Sequence, residues 1–271
     1  MIALAAMYVY PVKSCRGIEL ERAVLTDAGL EHDREWMIVT PQGRFLTQRE
    51  VPALALIVPR LVHNALWLGA PGREPLEIPF ATAGNPREVL IWRDRCPAWD
   101  EGEVAARWLS EFLARDVRLV RFDPAHRRLS DAHWTGDTSA LTRFSDGYAL
   151  LAISRASLAD LNARLPAPLP VERFRPNLVL DGLPPYGEDG LRDLWLGERV
   201  RLRVVKPCTR CIITTTNQQT GLVEGEEPLR TLKTYRWDEA LHGVTFGQNV
   251  IVVAGAGESL SRGVGLRTGG G

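Results

Sequence analysis

Only two stretches of this 271-residue chain carry a helical repeat, and 24 glycines and 18 prolines help cut most of the rest into short runs. Leu4–Tyr10, Trp36–Thr40, Ala55–Val62, Val89–Trp92 and Val117–Phe122 are β-rich runs bounded by Gly, Pro and Asp, and read as strands. Residues Glu103–Arg115 read as a helix with Val104, Trp108, Phe112 and Leu113 on its apolar face. Arg155–Leu165 reads as the second, with Ser154 as N-cap, Leu158, Leu161 and Leu165 on one side and Pro166 as its stop. Beyond it, Leu178–Asp181, Val200–Val205, Ile212–Thr216 and Asn249–Ala254 are expected strands. No internal repeat is present. The expected fold class is mostly β with some α: a small N-terminal β-barrel domain over residues 1–120, then a second barrel with a few packed helices over 121–267. Asp123–Gly147 is long, polar and irregular, which predicts a junction or a functional loop. Residues 268–271 end in three glycines and are expected to form a flexible tail.

Charge is balanced, with 33 basic and 33 acidic residues, so nothing points to nucleic acid or an acidic membrane surface. The longest apolar stretch, Met1–Tyr10, is too short to span a bilayer and lacks the charged start of a signal peptide. Four cysteines (15, 96, 208 and 211) are too few to scaffold a chain of this length. A cytoplasmic, reducing setting is the expectation.

Two of those cysteines form Cys208-Thr-Arg-Cys211, flanked by Lys206 and leading into β-branched residues. A thiol beside cations at a strand rim suits a soft metal or sulfur transfer better than core packing. A zinc site would need a second ligand pair, and the sequence has no second Cys-x-x-Cys and no closely spaced His pair. A thioredoxin-like motif would open a helix, whereas Ile-Ile-Thr-Thr-Thr favours a strand. Further polar clusters fall where strands are expected to begin or end: Tyr10–Gly17, Asp33–Trp36, Arg173–Asn177 and Phe246–Asn249. Lys13, Arg34, Arg175 and Arg210 could together hold a dianionic phosphate, with arginine supplying bidentate forks.

Taken in order, Tyr-Pro-Val-Lys-Ser at 10–14, Phe-Arg-Pro-Asn at 174–177, Cys-Thr-Arg-Cys at 208–211 and Glu-Pro-Leu-Arg-Thr-Leu-Lys-Thr-Tyr-Arg at 227–236 resemble the MOSC superfamily. Within it the chain is most similar to the branch of the mitochondrial amidoxime-reducing components and their bacterial relatives, over almost its whole length. That resemblance implies a MOSC N-terminal β-barrel domain followed by a MOSC domain, and a molybdenum cofactor, molybdenum on molybdopterin. It implies Cys211 as catalytic metal ligand, with Lys13, Ser14, Arg34, Arg175 and Asn177 holding pterin and phosphate. Arg210 and Asn249 join the cofactor-binding set. The implied reaction is reduction of N-hydroxylated compounds. The sequence contains no ferredoxin-type cysteine run and so no iron–sulfur cluster of its own, so electrons are expected from a separate haem or iron–sulfur protein with its flavin reductase. The alternative is a carrier that holds persulfide sulfur or the cofactor on Cys211 without turnover.

Each assignment has a structural counterpart. Cys15 and Cys96 read as small buried hydrophobes, and Cys208 as packing. The cations could form surface ion pairs, and Asn177 could serve only a turn. Gln248 and Asn249 are open between the two readings. Glu227–Arg236 reads as a segment covering the site, with Tyr235 and Arg236 as possible substrate contacts. His126 and His133, in the junction, read as solvated loop residues.

Overall fold

The computed structural model describes residues 1–81 and 84–269. Seven strands close into a barrel. In order round the wall they are Leu150–Ser154, Leu178–Asp181, Ile2–Val9, Gly265–Gly269, Asp193–Leu196, Val200–Thr209 and Gly243–Ala254. The last returns to the first through antiparallel pairing of Leu150 with Val250 and Leu151 with Asn249. Closure satisfies both edges of each wall strand, which an open sheet cannot do. The interior is aliphatic, built on residues such as Leu4, Met7, Leu178, Leu202 and Val250, all inaccessible to solvent.

Strand Ile2–Val9 comes from the start of the chain but is paired between Leu178–Asp181 and Gly265–Gly269. The intervening N-terminal residues build two further sheets of their own, and Arg22–Thr26 pairs with Gly29–Leu30 and Ser259–Ser261 in a third. One of the first two has the order Trp36–Val39, Arg118–Phe122, Asp94–Asp100, Asn85–Ile91. The other joins Val58–Val62, Ala65–Ala70 and Arg73–Pro79. Trp36-Met-Ile-Val39 is buried throughout because the strand's period of two serves two cores: Trp36 and Ile38 face one, Met37 and Val39 the other.

Helix Glu103–Leu113 lies over the three-stranded sheet, and its Trp108 indole donates to the Glu74 carbonyl at 2.7 Å. Its buried face is Ala105, Ala106, Trp108 and Leu109, while Val104 is 67% exposed. Of the expected face, Trp108, Phe112 and Leu113 pack on the core beneath the helix, and Val104 alone turns outward. Helix Arg155–Arg164 matches expectation, with the Ser154 hydroxyl accepting from the Ser157 amide at 3.0 Å.

Three expectations are corrected. Ile212–Thr215 is a 3₁₀ turn and not a strand. The Thr214 and Thr215 hydroxyls donate to the carbonyls of Cys211 and Ile212 (2.9 and 2.7 Å), a local alternative that overrides the β preference of Ile and Thr. Phe246–Asn249 lies inside the twelve-residue strand Gly243–Ala254, at a bulge, and does not open it. Thr268 and Gly269, expected in a loose tail, pair with Leu194 and Asp193, and residues 270–271 lie outside the described residues. The junction Asp123–Gly147 contains the short helix Ala132–Thr135. It is pinned by buried Arg128, which donates to the carbonyls of Arg143 and Ser145 (2.7 and 2.6 Å) and to Asp94 (2.7 Å). Among the described residues no helix is long and apolar enough to cross a membrane.

Gly247 has φ +79°, and a Cβ there would stand 2.8 Å from the Ala152 carbonyl oxygen and 2.7 Å from Ile153 Cγ1. Gly247→Ala should therefore cost about 2 kcal/mol or more through strain and overpacking. A thermal melt should show a fall on the order of 4–8 °C.

Candidate functional site

The loop after Ile2–Val9 is held by backbone bonds from Lys13 to Trp36 (2.8 Å) and from Arg34 to Tyr10 (2.8 Å). It turns sharply at Ser14, with φ +66°. Arg34 (φ +46°) and Arg175 (φ +56°) are also left-handed, an uncommon conformation for residues with a Cβ. These turns bring Lys13, Ser14, Arg34, Arg175 and Asn177 into the wall of one cavity of about 580 Å³. Cys208, Arg210, Cys211 and Asn249 complete it from the opposite side. Every residue proposed to bind cofactor or metal thus lines a single space.

The cations are held differently. Lys13 is buried and donates to the Phe144 carbonyl (2.8 Å) and to Asp146 (2.6 Å), and burial lowers its pKa. Arg34 donates to Asp33 (2.5 Å), to the Asn177 side-chain oxygen (2.9 Å) and to the Arg175 carbonyl (3.3 Å). Arg34 and Arg175 each lie 4.3 Å from the Tyr10 ring centroid, within cation–π range. Arg175 donates to the Cys15 carbonyl at 2.6 Å. Burial, reinforced by the Arg34 charge, pushes its pKa down to about 10, so it remains charged near neutrality. Arg210 donates to the Phe174 carbonyl (2.7 Å) and to Cys208 Sγ (2.9 Å), while its buried Nε has no partner.

The two asparagines do structural work. Asn177 donates to the Tyr8 carbonyl (3.1 Å), and its oxygen accepts from the Leu151 amide (3.2 Å) as well as from Arg34. Asn249 donates to the carbonyls of Lys206 and Pro207 (3.2 and 3.4 Å) across the bulge. Tyr235 and Arg236 do not line the cavity: Tyr235 bonds the Tyr186 hydroxyl at 2.7 Å, and Arg236 pairs with Asp189 at 2.7 Å. The rest of Glu227–Arg236, His126, His133 and Gln248 likewise stand outside the lining.

Cys211 caps the turn Ile212–Thr215, and its sulfur receives a hydrogen bond from Arg49 Nη2 at 3.3 Å. Arg49 was missed from the sequence, as was Trp92, over which it lies at 4.9 Å. The approach of Arg49 to Cys211 spans 162 residues, and no local pattern announces it. Trp92 is left-handed (φ +55°) and donates to Asp146 at 3.1 Å. Cys15 and Cys96 are buried elsewhere, and burial raises their pKa to about 12 and about 11, so both are neutral thiols.

Six cations (Lys13, Arg34, Arg49, Arg175, Lys206, Arg210) face two carboxylates (Asp131, Asp146) in the lining, which gives the cavity an excess of positive charge. Arg49, Arg175 and Arg210 have no carboxylate ion pair among the described residues. No cluster of three His, Cys, Asp or Glu able to hold a metal occurs among those residues, so the cavity offers the thiols of Cys208 and Cys211 and not a cage.

Residues 1–116 match the MOSC N-terminal beta barrel domain and residues 141–264 the MOSC domain. The mouse mitochondrial amidoxime-reducing component 1 is 36% identical over 90% of this chain and 76% of its own length. The human component 1 is 36% identical over 86% and 72%. A rice molybdenum cofactor sulfurase is 34% identical over 87% of this chain but only 31% of its own length. The chain belongs to the MOSC family, on the side of the amidoxime-reducing components.

Unpaired cations in a preformed pocket predict stabilisation by a small anion. Inorganic phosphate at ten times its Kd should stabilise ligand-free protein by about 1.4 kcal/mol, a rise on the order of 3–5 °C in Tm. Arg175→Gln should lose most of that rise, measured by thermal shift against a chloride control.

Proposed function

We propose that this chain binds a molybdenum cofactor through Cys211 and serves as the reducing component for N-hydroxylated compounds. The observation that carries the reading is the Cys211 thiol, held by Arg49 in a cation-lined cavity of about 580 Å³ in a relative of amidoxime-reducing components. On this reading residues 1–120 are the MOSC N-terminal domain and 121–267 the MOSC domain, and both wall the cavity.

The residues present suit that group. A single thiolate fits a metal that brings its other sulfur ligands with it. The orphaned Arg210 Nε, with Arg34 and Arg175, offers fixed donors for a phosphate. Lys13 and Ser14 close the same wall, while Asn177 orients Arg34 and Asn249 holds the bulge before Cys208. When bound, molybdenum supplies a two-electron couple able to take oxygen from nitrogen; the chemistry is the cofactor's own. Cys211 would hold it in place, with Arg49 orienting that sulfur through its 3.3 Å hydrogen bond. In balance, an amidoxime plus two electrons and two protons gives an amidine and water. The electrons come from a separate haem or iron–sulfur protein served by a flavin reductase.

Expressed in a host that makes the cofactor, the wild type should carry close to one molybdenum per chain and reduce benzamidoxime with an artificial donor. Cys211→Ser should lose most of the metal and all measurable reduction while keeping its far-ultraviolet circular dichroism. Full metal loading and turnover in that variant would sink the assignment. Absence of both metal and pterin from the wild type would favour a persulfide carrier, read by mass spectrometry at Cys211.

A further inference from the structure

A second cavity, of about 640 Å³, lies on the outer face of the three-stranded N-terminal sheet. Pairing of Val58 with Gly69 and of Arg60 with Trp67 sets these four side-chain positions on one face with Val62. The opposite face sends Leu66 into the core. Gly69 is the open floor: a Cβ there would meet only the Val58 carbonyl oxygen, at 3.9 Å. Leu56, Pro71 and Pro75 add apolar walls. Gln219 closes one side, in the loop whose Gly221 is packed on Leu56.

The only ionisable residues in this lining are Arg16 and Arg60. Glu77 stands opposite Trp67 in the register but does not line the cavity. Neither arginine is ion-paired among the described residues. Arg16 is fixed instead by donating to the Gln218 carbonyl, and its amide bonds the Ile57 carbonyl at 3.0 Å. An apolar floor of this size, with a half-buried indole and two unneutralised guanidinium groups, is built for a flat hydrophobic anion.

We propose that this groove is a binding site for an aromatic carboxylate, its ring over Gly69 beside Trp67 and its carboxylate between Arg16 and Arg60. The site is separate from the cavity of Cys211 and does not depend on the function proposed for that cavity.

Calorimetric titration of the whole chain with 2-naphthoate tests it. Saturable binding in the sub-millimolar range is expected. Gly69→Val should weaken it by about tenfold or more, because the branched side chain fills the floor. Gly69 has no left-handed φ and open space above it, so valine is compatible with the strand. Arg60→Gln should weaken it about three- to tenfold, and the neutral isostere 2-naphthamide should lose a similar factor. Arg49→Gln, in the cavity of Cys211, should leave the affinity within about twofold. No heat up to several millimolar, equal affinity for acid and amide, or a Kd unmoved by both Gly69→Val and Arg60→Gln would overturn the proposal. Binding lost in Arg49→Gln alone would do so too, by placing the ligand in the other cavity.

Discussion

The carboxylate of Asp33, almost wholly buried, neutralises one of two guanidinium groups that repel each other across a shared wall. It also accepts the Tyr10 amide at 2.9 Å, so the same two oxygens fix the loop carrying Lys13 and Ser14. Removing one member of such a buried pair typically costs about 3–5 kcal/mol, because the partner charge is left uncompensated. Arg34 in turn reaches Asn177, which ties strand Ile2–Val9 to Leu150–Ser154 through Tyr8 and Leu151. Charge placement and strand pairing are therefore one arrangement. Arg175 receives no such carboxylate partner, and its charge remains available to whatever occupies the cavity.

Among the described residues, four of the nine non-glycine residues with positive φ line the cavity. Ser14, Arg34, Arg175 and Trp92 all carry positive φ without being glycine. Each costs something the surrounding hydrogen bonds must over-determine. The return is aim: a loop in the β region would carry its next side chain away from the cavity.

Much of this could be read from the residues, and the failures have physical causes. Helix Arg155–Arg164 and strand Leu178–Asp181 were legible because cap, period and stop signals agree there. The turn after Cys211 was not, since threonine hydroxyls can close a 3₁₀ turn as readily as line a strand. The three-stranded sheet around Trp67 was missed apart from its first strand, because Arg73–Pro79 alternates with charges and prolines at a solvent face. The cofactor-binding set was found through its resemblance and its strand-end placement. Arg49 and Trp92 escaped because what selects them is a long-range approach to Cys211 and to Asp146.

The pairing of Ile2–Val9 also dictates an order of assembly. Its neighbours are Leu178–Asp181 on one side and Gly265–Gly269 on the other, so this strand finds both partners only after the residues far downstream of it have been made. Loops that long close slowly, and unpaired apolar strands are the species most prone to wrong association. The two sheets of the sequence between take all their strands from it, so they can form before that strand is closed in. Synthesis that stalls before Leu178 would leave an eight-residue hydrophobic strand with neither of its barrel neighbours.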